Sequence, residues 1–160
     1  MNTAPNTLVI GLGNAFRGDD GVGRVVARRL REIALPGVTV REESGEGAAL
    51  MEAWMDAGAV ILVDAVQSGA APGTIHRLDA TRTPVPSRFF HYSTHAFSVA
   101  EAVELARALN QLPPRLILYG IEGGDFTAGE QLSPEVAAAV DELLPRIRQE
   151  IQSVIPNLNP

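Results

Sequence analysis

The feature that most constrains this chain is its first strand-to-helix passage, residues 8–23 (LVIGLGNAFRGDDGVG). A short apolar run at residues 8–10 passes into a glycine-containing loop and then into two adjacent carboxylates, Asp19 and Asp20. A buried strand that runs through a glycine loop into a helix is typical of an α/β domain. Ligands of open α/β sheets bind beyond the carboxyl ends of the strands, so polar residues there are candidates for function.

The rest of the chain continues the alternation of strands and helices. Residues 59–66 (AVILVDAV) form a continuous apolar run rich in β-branched residues, as expected of a central strand covered on both faces. Residues 74–79 alternate in polarity and predict an antiparallel edge strand. We therefore predict a single domain over residues 1–160, a three-layer α/β sandwich with a mostly parallel, twisted sheet of about five strands. The other predicted strands are 8–10, 38–41 and 116–121, and the predicted helices are 22–33, 48–57, 98–110 and 134–151.

Composition excludes several classes of protein. The chain has 160 residues, a formal net charge of -6 and no cysteine. The negative charge disfavours nucleic acid and anionic membrane as partners. The absence of cysteine excludes a disulfide scaffold, thiolate ligands and a cysteine nucleophile. The first residues do not resemble a signal peptide, and no apolar run approaches the ~20 residues of a membrane helix. We expect a cytoplasmic protein, as a monomer rather than an oligomer.

The glycine loop allows a nucleotide-binding alternative. Gly11 and Gly13 match the start of a dinucleotide fingerprint, but Phe16 occupies the position of the third glycine. The carboxylates of Asp19 and Asp20 would also repel a pyrophosphate. The chain has no P-loop lysine, and Ser44 lies in EESGE rather than in the G-x-S-x-G pattern of a nucleophilic serine.

A second candidate site combines polar residues that the predicted topology brings to one edge of the sheet. Asp19 or Asp20 follows the first strand, Asp64 lies near the end of the central strand, and His95 precedes a helix that begins near Ser98. Two carboxylates and one imidazole suit a divalent ion such as zinc or nickel. Each residue also has a structural alternative: Asp19 as the N-cap of the first helix, and His95 as a capping or solvated histidine. A carboxylate in a buried strand such as Asp64 is costly unless it is paired or lies at an open edge.

Several other polar residues have a simpler interpretation. The acidic loop after the second strand, and the loop after the last strand, are expected to be solvated, although both lie at the same edge of the sheet. His76 alternates with apolar neighbours and is expected to be exposed on an edge strand, and His91 is not expected to share a helical face with His95. The acidic residues of these loops are Glu42, Glu43, Glu46, Glu122 and Asp125.

The chain resembles the [NiFe]-hydrogenase maturation endopeptidases. The resemblance lies in GLGNAFRGDDGVG, ILVDAV, HYSTH leading into SVAEAVELA, and LILYGIEGG followed by LSPEVAAAVDELL. These motifs occur in the same order over nearly the whole chain. The resemblance implies a phosphorylase/hydrolase-like α/β fold and a protease that removes the C-terminal extension of a nickel-loaded hydrogenase large-subunit precursor.

The resemblance also implies roles for individual residues. Asp20, Asp64 and His95 match the positions that contact the metal and carry catalysis in that family. The nickel is implied to arrive in the substrate and to be bound transiently, so no permanent cofactor is expected. The residues implied to contact the substrate are Asn14, Asp19, Ser44, Gly45 and Glu46.

The residues leave the mechanism open. Hydrolysis could use the ion as a Lewis acid or as a source of hydroxide, or it could use a carboxylate as general base. Two other functions stay as alternatives: a non-catalytic checkpoint module that senses nickel in the precursor, and a nucleotide-binding α/β protein.

Overall fold

The computed structural model describes residues 6–90 and 97–154, which form one five-stranded sheet with helices on both faces. The strand order is β2-β1-β3-β5-β4, and only β4 runs antiparallel to its neighbour. Short 3₁₀ helices cover Gly18–Gly21 and Ser87–Phe90. The strands are β1 (Thr7–Leu12), β2 (Val38–Glu43), β3 (Ala59–Val66), β4 (Ile75–Asp79) and β5 (Arg115–Glu122). The helices are α1 (Val22–Ile33), α2 (Gly47–Trp54), α3 (Val99–Ala108) and α4 (Pro134–Val154).

The predicted three-layer α/β fold is confirmed, including the antiparallel edge strand β4. The main errors lie at the helix ends. Helix α2 stops at Trp54, three residues before the predicted end. Ile33 and Leu109 were expected on the apolar faces of the first and third helices, but they are 40% and 52% exposed. Ile33 is the last residue of α1, and Leu109 follows the last residue of α3, so neither lies within the packed length of its helix.

The sheet divides the core into two parts. Helices α2 and α3 pack on one face, against side chains such as Val60 and Leu62 of β3. Helices α1 and α4 pack on the other face, against side chains such as Ile61 and Val63 of the same strand. Because successive residues of a strand point to opposite faces, β3 contributes to both parts and is buried along its whole length.

Two glycines let α1 approach the sheet closely. A Cβ atom added to Gly11 of β1 would lie 2.1 Å from the carbonyl oxygen of Gly23, and one added to Gly23 would lie 2.3 Å from the carbonyl oxygen of Val63. These contacts are with backbone atoms, which cannot rotate away. The glycines of the first motif therefore set the distance between α1 and the two central strands, and with it the position of the turn that precedes the helix.

Helix α4 begins at Pro134, as predicted, and continues through Pro145 to Val154 as one helix. Its buried carboxylate Glu150 accepts hydrogen bonds from the guanidinium of Arg77 (2.8 Å) on β4 and from the hydroxyl of Tyr119 (3.3 Å) on β5. Arg115, the first residue of β5, also donates to Glu150 (3.3 Å). Glu150 thus joins α4 to both strands at this side of the sheet. No helix within the described residues is long and apolar enough to cross a membrane.

Candidate active site

A cleft of about 400 Å³ lies beyond the carboxyl ends of β1, β2 and β3. Its floor carries two of the predicted site residues, Asp20 and Asp64. The rest of its lining comes from the loop after β1, the loop after β2, helix α1, Phe90, the residues at the start of α3 and Glu130 in the loop after β5. Those lining residues include Gly13, Asn14, Arg17, Arg24, Ser44, Gly45, Phe90 and Ser98.

Asp64 is a carboxylate in the central strand, only 6% exposed. It alternates with Leu62 and Val66, whose side chains pack toward α2 and α3, so Asp64 faces the same side, where the cleft lies. Its carboxylate accepts a hydrogen bond from the backbone N–H of Ala65 (2.8 Å). Burial raises the pKa of Asp64 well above its ordinary value, and the nearby charge of Asp20 raises it further. The two carboxylates therefore act on one another within the cleft.

Asp20 reaches the cleft from the 3₁₀ turn between β1 and α1, and it is 8% exposed. Its carboxylate accepts a hydrogen bond from the backbone N–H of Asn14 (3.0 Å) in the glycine loop. A nucleotide phosphate would need such loop N–H groups at the start of a helix. The carboxylate of Asp20 already occupies that anion position, which disfavours the nucleotide-binding alternative.

Asp19, next to Asp20 in sequence, has a different environment. It is fully buried and is not part of the cleft lining. Its carboxylate accepts hydrogen bonds from the backbone N–H groups of Gly124 (2.8 Å), Asp125 (2.9 Å) and Ser133 (2.7 Å), and from the Ser133 hydroxyl (2.9 Å). The interpretation of Asp19 as the N-cap of the first helix is wrong, because no side chain caps that helix and these loop donors occupy the carboxylate. The structure does not bring Asp19 together with the other residues implied to contact substrate.

Of the remaining residues implied to contact substrate, three line the cleft and one does not. Asn14 lines the cleft and is exposed, while its side-chain oxygen accepts a hydrogen bond from the N–H of Phe16 (2.9 Å). Ser44 and Gly45 line the cleft beyond β2, and Gly45 takes a φ of 98°, which favours glycine. Glu46 is the N-cap of α2, where its carboxylate accepts hydrogen bonds from the N–H groups of Ala48 (2.9 Å) and Ala49 (3.0 Å), and it is outside the cleft lining.

His95, the third predicted metal-contacting residue, lies outside the described residues. Phe90 precedes it and Ser98 follows it in sequence, and both of these residues line the cleft. Helix α3 begins just after Ser98, whose N–H donates to Glu101 (3.2 Å), as the predicted capping box requires. Within residues 6–90 and 97–154, no group of at least three His, Cys, Asp or Glu side chains is placed to hold a metal ion.

The other acidic candidates have structural partners. Glu122 is buried and accepts hydrogen bonds from the N–H groups of Ser68 (2.8 Å) and Ala70 (3.1 Å). The expectation that His76 is simply exposed is wrong: its ring packs against that of Phe89, with centroids 5.3 Å apart and planes tilted by 40°, and its Nε2 lies 3.6 Å from Glu122. Glu42 pairs with Arg28 and Arg31 of α1, at 3.1 Å each. Burial tends to raise the Glu42 pKa, but these two arginines outweigh it and hold the pKa below its ordinary value.

Sequence reasoning missed the arginines of the cleft. Arg17 precedes the 3₁₀ turn, and Arg24 lies in the first turn of α1, where its Nε donates to the carbonyl oxygen of Gly13 (2.6 Å). The signal that could have identified them is their closeness in sequence to the GDDG motif. Residues next to a turn that lines a cleft often line the same cleft. The lining of the cleft therefore combines three carboxylates with three guanidinium groups: Asp20, Asp64 and Glu130, and Arg17, Arg24 and Arg28.

The two carboxylates give the cleft a chemistry that favours a cation beside them. Two carboxylates in mutual repulsion, one of them with a strongly raised pKa, are stabilised when a positive ion binds beside them. Oxygen ligands of this kind bind divalent metals, and either carboxylate can also exchange a proton with water.

Known proteins resemble this chain over nearly its full length. The family model described as hydrogenase maturation protease matches residues 24–150. A putative hydrogenase maturation protease of Methanocaldococcus jannaschii is 33% identical over 151 residues, which cover 91% of this chain and 96% of the relative.

Solved structures have the same fold. The hydrogenase maturating endopeptidase HybD from E. coli has a TM-score of 0.77 at 24% identity, with 92% of this chain and 93% of that chain covered. The solution structure of an endopeptidase from Escherichia coli has a TM-score of 0.80 at 23% identity, with the same coverage of 92% and 93%. On the evidence of the family match and of the archaeal relative, the chain belongs to the hydrogenase maturation protease family and is an endopeptidase.

Proposed function

We propose that this endopeptidase removes the C-terminal extension of a [NiFe]-hydrogenase large-subunit precursor after nickel has been inserted. The observation that carries the proposal is the pair of carboxylates, Asp20 and Asp64, which reach the floor of one cleft from two different elements. A cleft beyond the strand ends is also where an α/β sheet binds its ligand.

In this proposal the nickel belongs to the substrate. Asp20, Asp64 and His95 contact the ion transiently, and the contact places the scissile peptide bond in the cleft. Support for the first two residues is their mutual electrostatic effect, which a cation would relieve. Support for His95 is its position in sequence between Phe90 and Ser98, which line the same cleft.

The carboxylate pair also supplies a route for the proton during hydrolysis. An ionised carboxylate takes a proton from the attacking water as the water oxygen bonds to the peptide carbonyl carbon. The proton then passes to the leaving amide nitrogen when the C–N bond breaks. A bound divalent ion would polarise the peptide carbonyl.

The test is to incubate the protein with nickel-loaded precursor and to weigh the products by mass spectrometry. Wild-type protein should release the C-terminal peptide, and nickel-free precursor should stay intact. Asp64→Asn should reduce trimming at least about 100-fold, because loss of a general base or of a ligand commonly costs that much. Asp141→Asn, which changes an exposed carboxylate on α4, is the matched control and should trim normally.

Two results would contradict the proposal. Full trimming by Asp64→Asn would remove Asp64 from the mechanism. A wild-type protein that forms a stable complex with the nickel-loaded precursor and leaves its mass unchanged would instead identify the non-catalytic checkpoint module.

A further inference from the structure

Among the residues that the structure describes, one arginine of the cleft forms no ion pair. All 13 basic residues of the chain are arginines. Among the described residues, all of them except Arg17, Arg88 and Arg148 form an ion pair. Arg88 lies over the ring of Phe89, with its guanidinium carbon 5.9 Å from the centroid, and Arg148 is exposed on α4, away from the cleft. Of these three residues, only Arg17 lines the cleft.

The other two guanidinium groups of the cleft are engaged. Arg24 donates to the carbonyl oxygen of Gly13 (2.6 Å) and lies 3.7 Å from the carboxylate of Glu42. Arg28 pairs with the same carboxylate at 3.1 Å. The Arg17 side chain, in contrast, has no hydrogen bond or ion pair with any part of the chain that the structure describes. Its five N–H donors are available to a ligand in the cleft.

The backbone around Arg17 is anchored. The N–H of Gly18 donates to the carbonyl oxygen of Gly129 (2.8 Å), and the N–H of Gly129 donates to the carbonyl oxygen of Phe16 (2.9 Å). The N–H of Arg17 itself donates to the carbonyl oxygen of Asn14 (3.2 Å). Because the loop is bonded on both sides of Arg17, a ligand that binds the guanidinium would order only the side chain, which lowers the entropic cost of binding.

We propose that Arg17 binds a carboxylate of the precursor peptide and thereby helps to select and orient the substrate. This inference rests on the proposed function. The planar guanidinium suits a carboxylate because it can donate two parallel hydrogen bonds to it. The floor of the cleft, with Asp20 and Asp64, repels an anion and attracts a cation. A substrate that carries a bound cation at one point and a carboxylate at another can therefore bind the cleft in only one orientation.

The neighbouring Phe16 supports a peptide as the ligand. It is 66% exposed and lines the same cleft. A large apolar side chain beside an unpaired arginine offers both apolar and charged contacts to an extended chain, and both residue types are enriched where proteins bind one another. The carboxylate has two possible sources, an acidic side chain near the scissile bond or the C-terminal carboxylate of the extension.

The experiment compares steady-state trimming of nickel-loaded precursor by wild type, Arg17→Gln and Arg148→Gln. A charge-assisted hydrogen bond contributes roughly 1.5–3 kcal/mol, so Arg17→Gln should raise KM about 10-fold or more and change kcat less than about twofold. Arg148→Gln removes an unpaired arginine outside the cleft and should match wild type. A KM equal to that of wild type in Arg17→Gln, or a loss confined to kcat, would overturn the inference.

Precursor variants identify the source of the carboxylate. Acidic residues around the cleavage site are changed to amides, and the C-terminus is extended by a neutral segment, in separate substrates. The substrate that lacks the recognised carboxylate should raise KM for wild type but not for Arg17→Gln, which is the signature of a direct interaction. If every substrate variant affects both enzymes equally, Arg17 does not bind a carboxylate.

The same experiment separates this inference from the proposed function. If wild type fails to trim the precursor, the proposed function itself is wrong. If wild type trims and Arg17→Gln trims with unchanged KM, only the role of Arg17 is wrong.

Discussion

Asp64 is a buried carboxylate of the candidate site whose ionisation reduces the stability of the fold. The other residues of β3 are apolar, and the strand is buried along its length. A carboxylate in this position loses hydration and lies near the negative charge of Asp20, so its ionised form is disfavoured in the folded protein. In the unfolded chain the same group ionises freely. The folded state therefore loses stability relative to the unfolded state when Asp64 must ionise.

This difference predicts how stability changes with pH. Folding raises the pKa of Asp64 above its ordinary value of 3.8. The contribution of this group to the free energy of unfolding is therefore complete below pH 3.8 and is lost as the pH rises through the folded-state pKa. Asparagine does not titrate, and its side-chain oxygen can keep the hydrogen bond from Ala65. Asp64→Asn should therefore melt at a higher temperature than wild type at neutral pH, with a difference that vanishes below about pH 4. Calorimetry of the metal-free proteins from pH 3.5 to 8 measures it.

Asp141→Asn is the control for this series, because it removes an exposed carboxylate. Its melting temperature should follow that of wild type across the whole range. Equal stability of Asp64→Asn and wild type at neutral pH would show that burial and Asp20 do not destabilise the ionised form of Asp64.

Asp19 and Asp20 illustrate the limit of sequence reasoning at this scale. Both were placed at the correct end of the sheet, because a carboxylate after a buried strand and a glycine loop can lie nowhere else. The sequence could not predict that Asp20 lines the cleft while Asp19 is buried among loop N–H groups. The partners of Asp19 lie 105 to 114 residues away in the chain, and only the folded loop after β5 brings them to its carboxylate.

At the scale of elements, Asp19 joins two loops. It fixes the 3₁₀ turn that carries Asp20 to the segment between β5 and α4. In Asp19→Asn the amide oxygen can still accept from Gly124 and Asp125, but the amide NH₂ group then faces the N–H of Ser133, which now donates to the other carboxylate oxygen. Leaving one buried donor unpaired costs about 1–3 kcal/mol, so we expect a loss of that size in the free energy of unfolding. Urea unfolding followed by circular dichroism measures the loss.

The comparison for this variant is again Asp141→Asn, whose exposed pair with Arg29 should contribute less than about 1 kcal/mol. Hydrogen exchange at Ser133 gives a local measure, since its N–H group should exchange faster in Asp19→Asn. A variant as stable as wild type, with unchanged exchange at Ser133, would show that Asp19 does not hold the two loops together.

The elements themselves were predictable where burial alone determines them. The predicted bounds of β3 are those of the structure, because a strand covered on both faces must be apolar throughout. Helix ends were less predictable: Ile33 and Leu109 continue an apolar pattern to the ends of α1 and α3, where both side chains are exposed. The arginines of the cleft were missed for a different reason, since no periodicity distinguishes a guanidinium that lines a cleft from one that is solvated.

At the scale of the whole molecule, two buried carboxylates have opposite effects on folding. Asp64 faces the side of α2 and α3, where the cleft lies, and its ionisation opposes folding. Glu150 lies on the side of α4, where its ion pairs with Arg77 and Arg115 join that helix to β4 and β5. The Glu150 carboxylate raises the pKa of Arg77, which keeps this pair charged. The ion pairs of Glu150 and the lining of the cleft thus involve different residues.

This separation predicts that the two properties can be changed independently. Glu150→Gln removes the charge that Arg77 and Arg115 share, while both arginines are partly exposed and keep contact with water. We expect the free energy of unfolding to fall by about 1–2 kcal/mol, less than for a fully buried pair. Trimming of nickel-loaded precursor at a temperature where the variant is folded should keep wild-type kcat and KM, because Glu150 does not line the cleft. Glu142→Gln, which alters an exposed pair on the same helix, should change neither property. A loss of trimming in folded Glu150→Gln would mean that the α4 side of the sheet also positions the cleft residues.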